Sequence, residues 1–424
     1  MDDSQYTRSQ RLEHICRRDG VRRSPLRVCV VSGYTSPSVG GVHTFITDII
    51  TAIKSCSSDH SFIIYEEEQQ GGRGASPRKP AWRRVAGRTV RALGMGRVVG
   101  WAVRKIAPRF GDSAYAFEEF IRASKVDVVW FLPPHHDPVS SVPYISTPYD
   151  LQHRVQPCFP EVSNEWKERE RSYGTILPRA ARIITGTQTG KNEIVAFYGV
   201  QPDNVIVVPM PASVPDIRFE GDARADIRNK YGITREFLLY PAQFWPHKNH
   251  VNLLLALDQI RTAGLELDLV LTGSDKGNLD HVRGVVASLG LGAQVHILGF
   301  VPRAELDKLY SAAVALTFPS FFGPDNLPPL EAFARNCPVA AARVAGAEEQ
   351  LENAALFFNP SDPADIARAI LTLYHDHELR AELVRRGKVL VSTRSPETYV
   401  ARICQVLDDL ARIRRCWGTR YVAV

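Results

Sequence analysis

The sequence predicts an α/β protein made of two consecutive domains, each with a parallel β-sheet covered by helices on both faces. Its length of 424 residues exceeds what one hydrophobic core usually organises, which indicates two domains. Its composition, 44% apolar and 23% charged, is typical of a globular protein. Short apolar runs alternate with helical patterns along the chain, an order typical of parallel sheets.

The first domain is predicted over 26–220, after a polar arm of 1–25 that lacks hydrophobic periodicity. The run LRVCVVSGY (26–34) begins it as a buried strand, and the turn SPSVGG and the helical pattern VHTFITDIITAIKS follow. Further strands are predicted for SFIIYEE, VDVVWFLP, YISTPYDL, ARIITGT and NVIVVPMPA. The order of strand, glycine turn and helix predicts a Rossmann-like domain.

The second domain is predicted over 221–395, because a polar stretch separates NVIVVPMPA from a new α/β series. Its strands are predicted for FLLYPAQ, LDLVLTGS, VHILGF, VALTFPS and PVAAARV, with helices between them. The last segment, 396–424, contains the amphipathic pattern PETYVARICQVLDDLARIRR after the second domain is complete. We expect this helix to pack back onto the first domain.

The cysteines and the apolar runs exclude several classes of protein. Seven scattered cysteines, none in a C-x-x-C pair, predict reduced thiols and no structural zinc site. For Cys29 and Cys337, the apolar neighbours favour packing in the core over a reactive role. The longest apolar runs are too short to span a bilayer, and the N-terminal MDDSQYTRSQ has no signal-peptide core. We therefore expect a soluble, cytoplasmic protein.

The stretch 69–111 concentrates the positive charge of the chain, with eleven Lys and Arg residues and no Asp or Glu. Trp82, Trp101 and aliphatic residues lie between the arginines. Such a stretch suits an anionic membrane surface, which would make the protein peripheral on the inner face of the membrane. A solvated insert in the first domain explains the same charge equally well. No recognition motif supports nucleic acid as a partner.

Two loops carry the candidate chemistry, since parallel sheets bind ligands at the carboxyl ends of their strands. In YPAQFWPHKNH, a strand ends near Pro241 and Lys248 precedes a helix. A cation at a helix start opposes the helix dipole, which favours an anionic partner such as a diphosphate. In PSFFGPDNLPPLEAF, Glu331 lies near the start of a helix, where it suits either the dipole or a ligand.

These motifs closely resemble a known family. From 240 to 363, the ordered runs YPAQFWPHKNH, LVLTGSDKG, VHILGFVPRAELDKLYSAA, PSFFGPDNLPPLEAFARNCPVAAARV and AGAEEQLENAALFFNPSDP are similar to the donor-binding half of retaining glycosyltransferases of family 4. SGYTSPSVGGVHTF and PYDLQHRVQPCFPEV resemble the first half more loosely. The resemblance implies the GT-B fold, with two Rossmann-like domains facing across a cleft. It also implies sugar transfer from a nucleotide-diphosphate donor without a metal ion or other cofactor.

The resemblance implies roles for individual residues. Lys248 matches the basic residue that grips the donor diphosphate. Glu331 matches the second glutamate of an E-x7-E motif, which binds the donor ribose. The resemblance assigns these further residues to the donor site: Gly40, Gly41, Gln243, Gly273, Pro324, Asp325, Asn326 and Leu327. The backbone amides of 324–327 are expected to approach the sugar and the phosphate.

The sequence departs from the family pattern at three positions. Gly323 stands where the first glutamate of E-x7-E is expected, so contacts to the transferred sugar must come from elsewhere, with Asp325 and Asn326 as candidates. Gln243 replaces a diphosphate-binding arginine. Tyr149 replaces a histidine of the catalytic site.

Polar residues near Tyr149 could replace the missing histidine. We take Asp150 and His153, together with Lys248 and Glu331, as the candidate catalytic set. His135 and His136 are further candidates in the same region, although a His-His pair in a loop is as often solvated as functional.

The sequence thus predicts a hexosyltransferase that moves a mannose-type or other hexose to a hydroxyl of a glycan or a lipid-linked acceptor, in surface polysaccharide synthesis. The first alternative is an inactive pseudo-transferase that binds a nucleotide sugar or a partner protein. The second is a GT-B sugar-nucleotide epimerase or a phosphorylase.

Overall fold

The computed structural model describes residues 25–33, 40–66, 102–104, 113–139, 141–212, 214 and 223–417. The predicted arm of 1–25 falls outside these ranges except for its last residue. The predicted basic stretch 69–111 also falls outside them, apart from Ala102–Arg104, which form a strand.

The first sheet has seven strands in the spatial order β3-β2-β1-β4-β5-β6-β7, and every neighbouring pair is parallel. Its strands are β1 (Arg27–Val31), β2 (Ser61–Tyr65), β3 (Ala102–Arg104), β4 (Val128–Phe131), β5 (Tyr144–Ser146), β6 (Arg182–Thr185) and β7 (Val205–Val207). Its helices are α1 (Gly41–Ser55), α2 (Ser113–Ala123), α3 (Gln152–Val155), α4 (Pro160–Asn164), α5 (Trp166–Ile176) and α6 (Gln188–Tyr198). All four residues of β4 are buried, because helices cover both faces of the sheet.

The second sheet has six parallel strands in the order β10-β9-β8-β11-β12-β13. Its strands are β8 (Phe237–Pro241), β9 (Asp268–Thr272), β10 (Val295–Gly299), β11 (Ala315–Phe318), β12 (Val339–Ala342) and β13 (Leu356–Phe358). Its helices are α7 (Ala223–Tyr231), α8 (His250–Thr262), α9 (Leu279–Ser288), α10 (Arg303–Ala312), α11 (Leu327–Ala334), α12 (Ala347–Leu351), α13 (Pro363–His375) and α14 (His377–Ser392). The sequence patterns missed the edge strands β3 and β13 and the helix α14.

Both sheets begin in the middle. β1 lies between β2 and β4, and β8 lies between β9 and β11, so the chain reverses its direction of travel across each sheet after the third strand. The helices flanking such a reversal diverge and leave a crevice at the carboxyl ends of the two central strands. This topology places the carboxyl ends of β1, β4, β8 and β11 beside the crevices where a ligand can bind.

The last helix, α15 (Pro396–Arg414), returns to the first domain as predicted. The ring of Tyr399 meets that of Phe45 edge to face, with centroids 5.7 Å apart. The Arg414 guanidinium lies 3.1 Å from the carboxylate of Asp127. The helix therefore joins the two sheets through apolar packing and charge.

In the part of the chain that the structure describes, no helix combines the length and the hydropathy that crossing a bilayer requires.

The two cysteines that were expected in the core are there. Cys29 and Cys337 are free and buried, and burial raises the pKa of each thiol to about 12. A thiol with so high a pKa stays protonated at neutral pH and is a poor nucleophile.

Candidate active site

A cleft of about 760 Å³ lies between the two domains and is lined by the carboxyl-end turns of both sheets. The first domain contributes the start of α1 and the segment after β5. The second contributes the turns after β8, β9 and β11 and the start of α10. The structure brings these predicted residues together around the cleft: Gly40, Gly41, Asp150, Gln243, Lys248, Gly273, Pro324, Asp325, Asn326, Leu327 and Glu331.

Lys248 ends the short 3₁₀ turn Pro246–Lys248 that follows β8. The turn is held in place because the Tyr240 hydroxyl donates a hydrogen bond to the Lys248 carbonyl oxygen over 2.6 Å. Asn249, in the left-handed region with φ 59°, then starts α8. Its side-chain amide donates to the Pro319 and Pro360 carbonyl oxygens, which ties the turn to the loop after β11.

The Lys248 ammonium is a cation held away from water. It faces the Phe318 ring, 5.5 Å from the centroid, and lies 3.5 Å from Asn326 Oδ1. Burial lowers its pKa to about 8, although the charges of Asp150 and Glu161 oppose the shift. Since a desolvated charge is costly without a counter-ion, this environment favours binding of an anion beside Lys248.

The other cations of the cleft already have carboxylate partners. Arg169 contacts Asp150 over 3.1 Å and Glu165 over 3.0 Å. Arg303 contacts Glu331 over 2.8 Å. Among the Lys and Arg side chains that line the cleft in the described part of the chain, Lys248 is the one with no ion pair.

Glu331, on the first turns of α11, is held by two donors. Arg303 Nη1 donates to Oε1 over 2.8 Å, and the Tyr310 hydroxyl donates to Oε2 over 3.0 Å. The side chain is 13% exposed. Each carboxylate oxygen keeps a lone pair, so Glu331 can still accept hydrogen bonds from a ligand's hydroxyls.

Phe300 also lines the cleft. It follows β10 and is 55% exposed. A cleft that offers both a flat apolar surface and a fixed hydrogen-bond acceptor suits a ligand with both an aromatic ring and hydroxyl groups.

The loop after β11 offers fewer backbone donors than the sequence suggested. Pro324 has no N–H, and the Asn326 N–H is already bonded to Gln350 Oε1 over 3.2 Å. Of the four expected amides, those of Asp325 and Leu327 remain for a ligand. Of the backbone amides of 324–327 that were predicted to approach the sugar and the phosphate, two therefore remain candidates.

Asp325 crosses from the second domain to the first. Its Oδ2 accepts a hydrogen bond from the Gly186 N–H over 3.2 Å, while its buried Oδ1 has no partner. Burial raises the pKa of this carboxyl to about 7, although the Gly186 hydrogen bond opposes the shift. A Cβ on Gly186 would lie 1.9 Å from Oδ1, so the contact requires glycine at that position.

Two further contacts hold the domains together beside Asp325. His247 Nδ1 lies 2.6 Å from Glu161 Oε1. Glu349 accepts hydrogen bonds from the N–H groups of Gln188 and Thr189 at the start of α6. A carboxylate at that end of a helix is stabilised by the helix dipole.

His153 does not line the cleft. Its ring is fully buried in the first domain, with Nε2 3.2 Å from the Tyr198 hydroxyl and 3.4 Å from Glu170. This placement corrects the interpretation of His153 as a sugar contact, because the interior of the domain separates its ring from the cleft.

His135 and His136 also lie outside the cleft. The His136 ring stacks on Phe131 at 3.6 Å and bonds to the Ser146 hydroxyl, and burial lowers its pKa to about 4. His135 lies against Tyr173. Both rings have packing partners that account for their positions.

Asp150 and Tyr149 do reach the cleft. Asp150 Oδ1 accepts hydrogen bonds from the Gln152 N–H and from Arg169, so it remains a candidate contact. The Tyr149 hydroxyl donates to the Leu132 carbonyl oxygen over 2.8 Å, and its ring meets that of Phe45 edge to face. Tyr149 thus packs against the first domain and forms part of the cleft wall.

The remaining predicted residues shape the cleft through their backbones. Gly273 has φ 139°, and a Cβ there would lie 2.4 Å from the Ala242 carbonyl oxygen. A Cβ on Gly41 would lie 3.3 Å from Leu327 Cδ1, so α1 starts close to the loop of the second domain. Gln243, which bonds to Ser274 and Trp245, is a neutral part of the rim.

The sequence analysis missed Arg303, Tyr310 and Arg169. Arg303 and Tyr310 are seven residues apart in VPRAELDKLY, which places them on one face of α10. That spacing was a usable signal. Their common target, Glu331, lies on another helix and could not be read from it.

Comparison with known proteins shows which family the second domain resembles. Residues 223–410, less than half of the chain, match the family described as glycosyl transferases group 1. The second domain is therefore similar to group 1 glycosyl transferases. Its assignment to family 4 within that group stays a prediction.

Two characterised relatives are similar over part of their length. The D-inositol 3-phosphate glycosyltransferase of Acidothermus cellulolyticus is 30% identical over 258 residues, 58% of this chain and 57% of that protein. The O-antigen chain mannosyltransferase B of Escherichia coli is 27% identical over 221 residues, 51% of this chain and 58% of that protein. The matches thus span well under two thirds of either relative.

Solved structures confirm the fold over nearly the whole chain. The Anabaena protein HepE in complex with UDP-glucose superimposes with a TM-score of 0.66 at 15% identity, covering 91% of this chain and 100% of that one. The second domain, which matches the group 1 glycosyl transferases, therefore forms one half of a GT-B fold, as predicted.

Proposed function

We propose that the protein is a retaining glycosyltransferase that moves a hexose from a nucleotide-diphosphate sugar to an acceptor hydroxyl. The observation that carries this proposal is Lys248. Lys248 is a desolvated cation without an ion pair at the carboxyl end of β8, whereas the other lysine and arginine side chains that line the cleft among the described residues have carboxylate partners. A diphosphate would supply the missing counter-charge.

Glu331 supports the nucleotide part of the donor. Its two fixed oxygens can accept hydrogen bonds from the ribose hydroxyls, and Phe300, which lines the same cleft, can lie against the base. HepE has been solved with UDP-glucose bound, which supports a nucleotide sugar as the ligand of this fold.

The proposed reaction breaks the bond between the anomeric carbon and the leaving phosphate oxygen and forms a bond to the acceptor oxygen on the same face. The acceptor's hydroxyl proton passes to the leaving phosphate. Lys248 stabilises the charge that develops on this phosphate, a role in which fixed electrostatics contributes most. The cleft orients donor and acceptor and limits water. We propose that Lys248, rather than a metal ion, meets this charge.

The donor sugar and the acceptor are proposed from the relatives. One is named a mannosyltransferase of the O-antigen chain and another a D-inositol 3-phosphate glycosyltransferase. We propose a mannose-type hexose as the donor sugar and a glycan or lipid-linked hydroxyl as the acceptor, with surface polysaccharide synthesis as the setting. The acceptor would enter along α1 and Asp150 in the first domain.

The decisive experiment is a transfer and hydrolysis assay with GDP-, UDP- and dTDP-hexoses, comparing wild type with Lys248→Ala. Loss of the charge that meets the leaving group should lower turnover at least about 100-fold. Lys276→Ala is the matched control, because Lys276 lies over the nearby Trp245 ring but does not line the cleft. Wild-type rates in Lys248→Ala would reject the proposal, and activity retained in EDTA would support the metal-free mechanism.

The same assay tests an inactive pseudo-transferase, which would bind a nucleotide sugar without turnover. Gly323 is the observation that favours this second candidate, because it leaves the sugar end without the expected carboxylate.

Binding to a membrane surface through 69–111 is a separate proposal that rests on charge alone. Sedimentation with anionic liposomes tests it, and binding that survives deletion of 70–110 would contradict it.

A further inference from the structure

The sugar end of the cleft contains an asparagine whose side chain fills the space beside a bare glycine. Gly323 has φ 134°, a conformation that favours glycine. A Cβ placed on it would lie 2.1 Å from Asn326 Nδ2 and 2.4 Å from Cγ. The amide of Asn326 therefore occupies the volume that a side chain at 323 would take.

The hydrogen bonds of this amide determine its orientation. Nδ2 donates to the Gly323 carbonyl oxygen over 2.7 Å and to the Phe322 carbonyl oxygen over 3.4 Å. Oδ1 faces the Lys248 ammonium. Carbonyl oxygens only accept and an ammonium only donates, so rotating the amide by 180° would lose all three contacts.

The backbone of Asn326 is held just as firmly. Gln350, which is buried, accepts from its N–H over 3.2 Å and donates to its carbonyl oxygen over 3.0 Å. Asn326 also precedes the first residue of α11. The side chain thus projects from a fixed point.

Only the oxygen of the amide remains for a ligand. Its 3.5 Å separation from Lys248 Nζ is at the long limit for a hydrogen bond, so neither atom is fully satisfied. An oxygen acceptor and an ammonium donor at this spacing suit one ligand that offers both a hydroxyl hydrogen and an anionic oxygen.

We propose that Asn326 Oδ1 accepts a hydrogen bond from one hydroxyl of the transferred hexose, while the neighbouring Lys248 holds the diphosphate. This inference rests on the proposed function and adds to it a residue that determines specificity. The amide nitrogen of Asn326 already donates to two carbonyl oxygens, so the side chain can only accept from a ligand. The site therefore requires a free hydroxyl, which can donate, at that position of the sugar. A deoxy sugar lacking that hydroxyl leaves Oδ1 unpaired.

The test compares the binding of a nucleoside diphosphate with that of the same nucleotide carrying its hexose, by calorimetry, in wild type, Asn326→Ala and Asn326→Asp. We expect Asn326→Ala to weaken binding of the nucleotide sugar at least about tenfold and binding of the bare nucleoside diphosphate less than about threefold. Equal loss for both ligands, or no loss for either, would overturn the proposal.

Asn326→Asp separates sugar recognition from charge. The aspartate carboxylate places a negative charge next to Lys248. Where Asn326 Nδ2 donates to the Phe322 and Gly323 carbonyl oxygens, the aspartate has an oxygen that cannot donate and is repelled by both. We expect it to bind the bare nucleoside diphosphate more weakly than Asn326→Ala does. Tighter binding of that ligand by the aspartate variant would contradict the proposed arrangement.

Deoxy analogues of the active donor sugar identify the hydroxyl. In wild type, removal of one particular hydroxyl should weaken binding, and in Asn326→Ala the same removal should have no further effect. A penalty that persists unchanged in the variant would show that another residue contacts that hydroxyl.

Asn252→Ala is the matched control, since Asn252 also donates to a backbone carbonyl, that of Pro360 over 3.0 Å, but lies outside the cleft. Its binding should equal that of wild type, and thermal unfolding checks that every variant is folded. If wild type binds nucleotide sugars without turning them over, the proposed function fails, whereas the binding comparison still tests Asn326.

Discussion

The carboxyl groups at the two ends of the cleft, Glu331 and Asp325, differ in their hydrogen-bond partners. At the proposed nucleotide end, Glu331 has a guanidinium and a phenol as partners. At the proposed sugar end, Asp325 has one backbone N–H and a buried oxygen without a partner, and burial raises its pKa to about 7. Only five residues of one loop and helix lie between these two carboxyl groups, yet their surroundings differ.

This difference indicates different tasks. A carboxylate whose charge is balanced can hold ligand hydroxyls without a large cost. A carboxyl in a desolvated contact between two domains is buried only while the domains stay closed. We infer that the nucleotide end is organised for binding and that Asp325 is organised for contact between the domains.

Of the substitutions that compare the two carboxyl groups, Glu331→Gln is expected to have the largest effect, because it removes the charge but keeps the shape. The Arg303 guanidinium loses one of its two carboxylate partners and keeps Asp307, while the donor hydroxyls lose a charged acceptor, so KM for the donor should rise about 10- to 100-fold. Steady-state kinetics measures the change.

The control for that variant is Glu305→Gln on α10. Glu305 is likewise bonded to a cation and a phenol, those of Lys230 and Tyr231, but away from the cleft. Equal effects of the two substitutions would show that Glu331 acts only through stability.

Gly186→Ala tests the contact that Asp325 makes between the two domains. The new Cβ would displace the Asp325 carboxyl, so the domains should close less well and kcat/KM should fall about tenfold, since misplacement of the reacting groups is costly. Gly174→Ala, in α5 with nothing within 4 Å of the added Cβ, should leave kcat/KM unchanged. An unchanged value in Gly186→Ala as well would remove the role assigned to Asp325.

Asp325→Asn sharpens the comparison through pH. The pKa of Asp325 is raised in the folded protein from 3.8 to about 7, so folding favours the protonated carboxyl. The free energy of unfolding should therefore fall as pH rises from about 4 to 7 and stay lowered above that. The asparagine variant lacks this fall.

Urea unfolding at pH 5 and pH 8 measures this difference. Relative to wild type, the variant should gain about 1 to 3 kcal/mol more at pH 8 than at pH 5. A gain independent of pH would mean that Asp325 is ionised in both conditions.

The smallest effect is expected from Tyr149→Phe. The substitution removes the hydrogen bond to the Leu132 carbonyl oxygen and should lower the free energy of unfolding by about 1 kcal/mol, with kcat/KM within about twofold of wild type. Urea unfolding and kinetics together measure both. A loss of activity without a loss of stability would instead assign Tyr149 to the reaction.

Most of the fold could be predicted from the sequence because hydrophobic periodicity is a local signal. The runs around VDVVWFLP and FLLYPAQ are buried on both faces of a sheet, and such strands are continuously apolar. The strands β3 and β13 each have only three residues at a sheet edge. The equally short edge strand β7 was predicted because it lies in the longer apolar run NVIVVPMPA, whereas β3 lies in the arginine-rich stretch 69–111.

The candidate site could be predicted where a loop and its function are continuous in sequence. Lys248 and Glu331 both lie in motifs, and both line the cleft. His153 shows the limit of this reasoning: it is three residues from Asp150, which lines the cleft, yet its ring points into the domain. Asp150 precedes α3 and His153 lies on it, so their spacing in sequence does not determine the direction of each side chain, and only the packing of α3 shows which one faces the cleft.

The sequence by itself determined that two Rossmann-like domains follow one another and that a lysine and a glutamate stand at the strand ends of the second. These features depend on order along the chain. The tertiary structure alone decided that Lys248 has no ion pair, that Arg303 and Tyr310 meet at Glu331, and that Asn326 fills the space beside Gly323. These facts depend on which side chains meet across different elements, and burial then determines how each charge behaves.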